Sequence, residues 1–212
     1  MGNKNKLGQY EEYRTFEHAH EKDCTLKGRW QKDHFKNNNP IVLELACGKG
    51  DYAIGLANLY PNKNFIGVDI KGNRMWRGAK TVSENKMENV AFLRAHIDHI
   101  TDYFENDEVD EIWITFPDPQ PKKENKRLTS KRFLDRYKEI LKPEGTINLK
   151  CDSQLMYDFT LEMIEEYNLS LLTNQSNVYS GDSVSEEMDI KTYYERKWLN
   201  QGRMIKYVKF RL

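Results

Sequence analysis

The chain has few of the residues that mark secreted or metal-binding proteins. Its three cysteines, Cys24, Cys47 and Cys151, are far apart and form no CxxC pair. An odd number of widely spaced cysteines argues against a disulfide framework and favours a reducing compartment. The five histidines show no metal-ligand spacing. We therefore expect a cytoplasmic protein that holds no metal.

Long apolar segments are also missing. No run approaches the roughly 20 apolar residues that a membrane helix needs, and the first six residues contain no apolar core of the secretory type. Hydrophobic residues make up 38% of the chain and charged residues 31%, which is typical of a soluble and rather polar protein. At 212 residues the chain is long enough for one large domain with a substantial core.

The chain also has no overall excess of either charge, because 33 basic and 33 acidic residues balance. The charge is nevertheless segregated, since residues 122–138 contain eight cations and only two acids. A cationic patch can steer a polyanion towards a nearby site. Such runs also form ordinary solvated helix faces, an interpretation that suits residues 131–138 better than residues 122–127.

Strand-like and helix-like segments alternate from residue 40 onward. Helical periodicity lies between most of the strands, which indicates βαβ crossovers and a mostly parallel, doubly wound α/β sheet of Rossmann-like type. Short apolar runs rich in β-formers predict seven strands, at residues 41–45, 64–70, 90–95, 111–116, 146–151, 169–173 and 204–212.

The two ends of the chain depart from this alternation. A long polar loop, without a clear crossover helix, separates the last two predicted strands, so we expect them to form an antiparallel pair at one edge. Residues 1–38 are polar and mixed in charge, with scattered aromatic residues. We predict an N-terminal extension over residues 1–38, partly ordered by docking of those aromatics, and one domain over residues 39–212.

A glycine loop follows the first predicted strand. Gly48 and Gly50 let the backbone approach a ligand closely, and the loop matches the GxGxx(G/A) fingerprint, which is a weak signal alone. Asp69 ends the second strand 19 residues after Gly50, where a carboxylate can accept hydrogen bonds from both ribose hydroxyls. Glu44, an acid inside the first apolar strand, could face a cationic group or pair with a lysine. These residues favour a ribonucleoside cofactor, either NAD or S-adenosylmethionine.

A second acid is fixed between two prolines. Pro117 and Pro119 restrict the backbone around Asp118, which follows an apolar strand. Ligands of open α/β sheets bind at this end of the strands, although a solvated aspartate in a proline-rich turn is the simpler interpretation. Glu44 and Asp118 would attract the ammonium and sulfonium groups of S-adenosylmethionine, whereas a pyrophosphate prefers amide donors. The acids therefore favour S-adenosylmethionine over NAD.

Taken together, five groups of residues resemble the bacterial tRNA (guanine-N7)-methyltransferases. They are Glu44-x-x-x-Gly48-x-Gly50, Asp69, Phe116-Pro117-Asp118-Pro119-x-Pro121-Lys122-Lys123, Lys150-x-Asp152 and Thr192-x-Tyr194-Glu195. The resemblance covers residues 40–212 and implies a class I methyltransferase sheet. It also implies methyl transfer from S-adenosylmethionine to N7 of a guanine in the variable loop (position 46) of tRNA.

The resemblance implies a role for each matched residue. Asp118 would be catalytic and would also contact the cofactor. The other cofactor contacts would be Glu44, Gly48, Gly50, Asp69 and His96. The substrate contacts would be Lys122, Asp152, Thr192, Tyr194 and Glu195. Further contacts with RNA would come from the basic loop, through Lys123, Lys126 and Arg127.

Several positions depart from the family pattern. Ala46 stands where the first glycine is usual, Gln120 replaces a tryptophan, and the basic loop is about two residues shorter. At the adenine position, His96 replaces the usual acid or amide, and Asp98 is close enough to serve instead. A nicotinamide-dependent oxidoreductase and a non-catalytic RNA-binding protein remain alternatives. The expected partner is tRNA, and the chain could act as a monomer or homodimer.

Overall fold

An eight-stranded, mostly parallel sheet forms the centre of the molecule. The computed structural model describes residues 5–181 and 183–212. The strand order is β1-β4-β3-β2-β5-β6-β8-β7. The strands are β1 (Ala19–His20), β2 (Ile41–Leu45), β3 (Asn64–Asp69), β4 (Val90–Arg94), β5 (Val109–Thr115), β6 (Leu141–Cys151), β7 (Ser170–Gln175) and β8 (Lys206–Arg211).

The pairing confirms the predicted α/β class and its antiparallel edge. Strands β1 to β6 pair in parallel, whereas β8 runs antiparallel to both β6 and β7. The seven predicted strands correspond to β2 through β8. The additional strand, β1, has only two residues and extends the sheet beside β4. It lies in the region that we predicted as an N-terminal extension.

Helices cover both faces of the sheet, and no helix in the described part of the chain is long and apolar enough to cross a membrane. Short helices of other types are a π-helix at Trp30–Phe35 and 3-10 helices at Ile97–Asp102 and Glu124–Lys126. The α-helices are α1 (Lys6–Tyr13), α2 (Asp51–Leu59), α3 (Gly72–Glu84), α4 (Lys131–Ile140), α5 (Gln154–Glu166), α6 (Glu186–Asp189) and α7 (Tyr193–Leu199).

The segment that we predicted as a long polar loop contains α6 and α7. Each begins at a hydroxyl cap: the Ser185 hydroxyl accepts from the Met188 amide at 3.4 Å, and the Thr192 hydroxyl accepts from the Glu195 amide at 3.1 Å. Such caps satisfy amide groups that a helix start leaves free. The expectation of a loop throughout this segment was therefore wrong, because two short helices lie in it and are marked by caps rather than by long apolar periodicity.

Two hydrophobic clusters fill the spaces between the sheet and its helices. Side chains along β2 alternate between them, so that Leu43 packs with α4 and α5 while Val42 packs with α1, α2 and α3. Strands covered on both faces are apolar at nearly every position. This packing explains why β2 and β3 are buried at every residue.

Aromatic residues dock the N-terminal region onto the sheet, as predicted. Tyr13 and Trp30 are fully buried, and the indole nitrogen of Trp30 donates to the carbonyl of Tyr103 at 2.9 Å. Helix α1 lies against α3, where the Trp76 indole donates to a Glu12 carboxylate oxygen at 2.7 Å. The described part of this region is thus continuous with the core.

Candidate active site

A cavity of about 960 Å³ lies at the carboxyl ends of the central strands. Its walls come from the loops after β2, β3, β5 and β6 and from α1, α3 and α7. The chain proceeds from β2 to β3 and β4 on one side, and from β5 onward on the other. This reversal is the switch point at which open α/β sheets bind ligands, and the volume suits a small molecule.

The glycine loop after β2 has left-handed backbone at three positions. The φ angles are 58° at Ala46, 59° at Gly48 and 73° at Gly50. A Cβ atom at Gly48 would meet nothing within 4 Å, whereas one at Gly50 would lie 2.4 Å from the Phe92 ring. Gly48 therefore leaves room for a ligand in the cavity, and Gly50 provides close packing. Gly50 was expected to contact the cofactor, but it does not line the cavity.

Asp69 is held at the end of β3 by two backbone amides. Its Oδ2 accepts from the Gly48 amide at 3.0 Å and its Oδ1 accepts from the Lys71 amide at 2.8 Å. The carboxylate lines the cavity but is only 7% exposed. Each oxygen keeps a second acceptor position, so the fixed carboxylate fits the two hydroxyls of a ribose.

Glu44 lies beneath the cavity rather than in its wall. Its Oε1 accepts from the Thr115 hydroxyl at 2.8 Å, and its Oε2 accepts from the Ala53 amide in the first turn of α2 at 2.9 Å. Burial raises the pKa of Glu44 to about 8. This arrangement corrects the expected direct cofactor contact: Glu44 is 2% exposed and outside the cavity wall, and it joins β2, β5 and α2.

Asp118 occupies a tight turn at the cavity rim. Phe116 and Gln120 have left-handed backbone on either side, with φ angles of 49° and 45°. The Asp118 Oδ1 accepts from the Gln120 amide at 3.1 Å, which is the Asx turn that aspartate favours. The side chain is exposed and lines the cavity together with Asp69 and Asp152. Three of the predicted strand-end acids thus meet at one site.

Asp152 shares its part of the rim with Arg203, which the sequence analysis missed. Its Oδ2 lies 2.7 Å from a guanidinium nitrogen of Arg203. The guanidinium also lies over the Trp198 ring, 4.0 Å from the centroid. Both Trp198 and Arg203 line the cavity. This acid is therefore partly neutralised, whereas Asp118 forms no ion pair with another described residue.

Of the substrate contacts predicted on α7 and its cap, Thr192 and Tyr194 line the cavity, but Glu195 does not. Glu195 is fully buried, and its Oε1 lies 2.8 Å from the Lys150 Nζ atom. The same oxygen accepts from the Tyr179 hydroxyl at 2.7 Å. Burial lowers the pKa of Lys150. This pair anchors α7 to β6, so Glu195 positions the helix instead of contacting the substrate.

Two other predicted residues lie away from the cavity. His96 is exposed and outside its walls. The alternative, Asp98, lies outside them as well and is 2.6 Å from the Arg132 guanidinium. Lys122 is exposed on the loop beyond Asp118 and also lies outside the cavity wall. Contact with substrate at Lys122 therefore requires a ligand that extends beyond the cavity.

The basic loop presents some of its predicted cations and buries another. Lys123 and Lys126 are exposed. Arg127 is 2% exposed; its Nε donates to the carbonyl of Pro119 at 3.1 Å and its guanidinium lies over the Phe159 ring. The structure thus corrects the expected RNA contact of Arg127, because its guanidinium is turned inward and fixes the loop.

The sequence analysis also missed the wall formed by α1 and α3. Lys71, Arg74 and Arg77 line the cavity on the side of α3, and Gln9 of α1 completes it. The position of α3 could have revealed the first three, since a helix that follows β3 begins at the ligand end of the sheet. No comparable feature of the sequence predicts that α1 packs beside the cavity.

The chain matches a methyltransferase family model over residues 38–208. A tRNA (guanine-N(7)-)-methyltransferase of Bacteroides thetaiotaomicron is 47% identical to it over 217 residues, which cover 99% of this chain and 86% of that protein. This chain belongs to the tRNA (guanine-N7)-methyltransferase family. A second member, from Christiangramia forsetii, is 45% identical over 223 residues and covers both chains completely. These matches confirm the family resemblance found in the sequence.

The fold agrees with a solved methyltransferase structure. The crystal structure of the 16S rRNA methyltransferase KamB superposes with a TM-score of 0.66 at 12% identity. The match covers 87% of this chain and 93% of that one. At this identity the similarity shows the methyltransferase fold alone.

Proposed function

We propose that this protein transfers a methyl group from S-adenosylmethionine to N7 of a guanine in tRNA. The observation that carries the proposal is the meeting of Asp69, Asp118 and Asp152 in one cavity at the switch point of the sheet. Membership of the family supports the choice of tRNA. The choice of the variable-loop guanine at position 46 rests on the family resemblance, and a tRNA substrate makes the cytoplasm the expected location.

The β2–β3 side of the cavity would hold the cofactor. Gly48 leaves space for it, and Asp69 would accept hydrogen bonds from the ribose hydroxyls. Glu44 and Gly50 would act indirectly, by fixing the loop and the start of α2. When bound, S-adenosylmethionine supplies an electrophilic methyl group, which passes from sulfur to the N7 lone pair while the sulfur keeps the electrons of the broken bond.

Asp118 would act on the guanine. N7 carries a free lone pair at neutral pH, so no group has to remove a proton from it. Methylation leaves a positive charge on the base, and a fixed carboxylate beside it would stabilise that developing charge. The Asx turn and the two prolines restrict Asp118 before the substrate arrives. Asp152 would form a second acidic contact, moderated by Arg203.

The outer surface would bind the RNA backbone. Lys122, Lys123 and Lys126 are exposed beside the rim that holds Asp118, and lysines there would neutralise phosphates. Thr192 and Tyr194 would close the pocket from α7. Arg127 would contribute by shaping the loop, through the carbonyl of Pro119.

Methyl incorporation into tRNA tests the proposal. The protein is incubated with labelled S-adenosylmethionine and an unmodified tRNA transcript, and the modified nucleoside is mapped. We expect 7-methylguanosine in the variable loop, and no incorporation when that guanine is replaced by adenine. Binding of tRNA without any methyl transfer would overturn the proposal and favour a non-catalytic RNA-binding protein.

A further inference from the structure

Two adjacent tyrosines at the mouth of the cavity present their rings to solvent. Tyr193 is 55% exposed and Tyr194 is 44% exposed, although both line the cavity. Their centroids are 5.4 Å apart and their planes meet at 80°. Within the described residues neither tyrosine hydroxyl makes a hydrogen bond. The one hydrogen bond described for Tyr193 outside its helix comes from its backbone amide. Large rings that stay about half exposed at the mouth of a cavity are typical of a binding surface.

The backbone that carries these rings is fixed from three directions. The Tyr193 amide donates to the Asp51 Oδ2 at 3.0 Å, which joins α7 to the start of α2. The buried Thr192 hydroxyl caps the helix, and Glu195 anchors it to Lys150. The rings are therefore exposed on a rigid support, and a ligand that stacks on them would lose little backbone freedom to the protein.

Cations surround the rings. The Lys49 Nζ atom lies 4.4 Å from the Tyr193 centroid. On the next turn of α7, Trp198 stacks on Tyr194 at 6.5 Å and carries the Lys197 and Arg203 side chains. Exposed aromatic rings interleaved with cations suit an unpaired nucleobase with its phosphate. A purely apolar partner would leave these charges unpaired and poorly solvated.

We propose that Tyr193 and Tyr194 form a stacking surface for unpaired bases next to the methylated guanine. The inference rests on the proposed function, since it takes tRNA as the ligand. The guanine can place its N7 atom in the cavity only when the RNA around it is unpaired and its bases are unstacked. Stacking on aromatic side chains stabilises bases in that unstacked state. The tyrosines would thus hold the neighbouring bases while Asp118 meets the guanine.

Substitution of the rings tests the proposal. In the double variant Tyr193→Leu with Tyr194→Leu, we expect the dissociation constant for unmodified tRNA to rise about tenfold or more, as for the loss of base stacking. The double phenylalanine variant keeps the rings and should bind tRNA within about twofold of the wild type. Fluorescence anisotropy measures tRNA binding. Quenching of 2-aminopurine beside position 46 reports stacking directly and should be lost only in the leucine variant.

A matched control uses a tyrosine elsewhere. Tyr167 also carries a lysine over its ring, Lys131 at 5.5 Å, but it lies outside the cavity. Tyr167→Leu should leave tRNA binding unchanged. Wild-type tRNA affinity in the double leucine variant, or equal loss in the phenylalanine variant, would overturn the stacking role. So would a loss of S-adenosylhomocysteine affinity in place of tRNA affinity.

The same experiments separate this inference from the proposed function. Methylation by the wild-type protein tests the function, whereas anisotropy and 2-aminopurine quenching require no turnover. If the wild type methylates tRNA but quenching persists in the double leucine variant, only the stacking surface is wrong. If methylation never occurs although quenching depends on the rings, the surface stands and the proposed reaction is wrong.

Discussion

The two sides of the cavity differ in how far their carboxylates are buried and in how many hydrogen bonds the protein donates to them. On the β2–β3 side, Asp69 is 7% exposed and both of its oxygens accept from backbone amides. On the β5 side, Asp118 is exposed and, among the residues that the structure describes, accepts from the Gln120 amide alone. Tyr193 and Tyr194, which line the same cavity, also face solvent. A preformed inner side suits a small cofactor, and an open outer side suits a macromolecule that completes it.

The largest expected effect is on catalysis, and it comes from a substitution on the β5 side of the cavity. Asp118→Ala should lower kcat about 10²–10³-fold, the scale of one preorganised electrostatic group, without weakening S-adenosylhomocysteine binding. Single-turnover methylation and calorimetry measure the two properties. Asp135→Ala is the matched control, since Asp135 is an exposed acid paired with Lys131 outside the cavity. Normal turnover in Asp118→Ala would remove that residue from the reaction.

A smaller effect distinguishes two glycines of the inner side. Gly50→Ala places a Cβ atom 2.4 Å from the Phe92 ring at a φ of 73°, so we expect unfolding to require about 2–3 kcal/mol less free energy. Gly48→Ala has open space, so it should lose only about 1 kcal/mol of stability but bind S-adenosylhomocysteine more weakly.

Urea denaturation and calorimetry on the two alanine variants make the comparison. If the pattern were reversed, with Gly48→Ala the less stable protein and Gly50→Ala the weaker binder, the division of the loop into ligand-facing and packing positions would be incorrect. Equal stability of both variants would show that Phe92 moves aside.

The smallest effect, counted per pH unit, concerns the titration of Glu44. The pKa of Glu44 is raised to about 8 by burial, from 4.5, so the folded protein holds a proton that the unfolded chain releases between these values. The stability that this proton brings is complete below pH 4.5 and declines as pH rises towards 8. The decline is at most about 1.4 kcal/mol per pH unit.

Glu44→Gln tests this pH dependence, because glutamine keeps the shape and never ionises. Its free energy of unfolding, measured in urea between pH 5 and pH 8, should lack the decline that Glu44 adds to the wild type. Parallel pH profiles for the two proteins would mean that Glu44 is ionised in the fold, and the contrast between its closed environment and the open one of Asp118 would weaken.

Local patterns account for what the sequence predicted well. Short runs of apolar residues predicted β2 to β6, and the prolines and glycines predicted the turns around Asp118 and Gly48. Both signals depend on residues that are neighbours in the sequence. Asp69 was identified from its distance to the glycine loop. The family resemblance added Asp152, Thr192 and Tyr194, which all reach the cavity.

Contacts between distant segments account for what it did not predict. Glu195 and Arg127 were expected to contact ligands because the family resemblance implied it, yet contacts with Lys150 and with the carbonyl of Pro119 hold them inside the protein. Gln9 reaches the cavity only because α1 packs on α3. No short-range pattern encodes such meetings.

The position of Gln9 has a consequence for selective inhibition. This residue contributes to the cavity wall but precedes residues 38–208, the part matched by the family model. A compound that spans from the glycine loop to Gln9 would touch a segment outside the part matched by the family model. Chemical discrimination among enzymes with this fold could therefore begin at α1 instead of at the cofactor subsite.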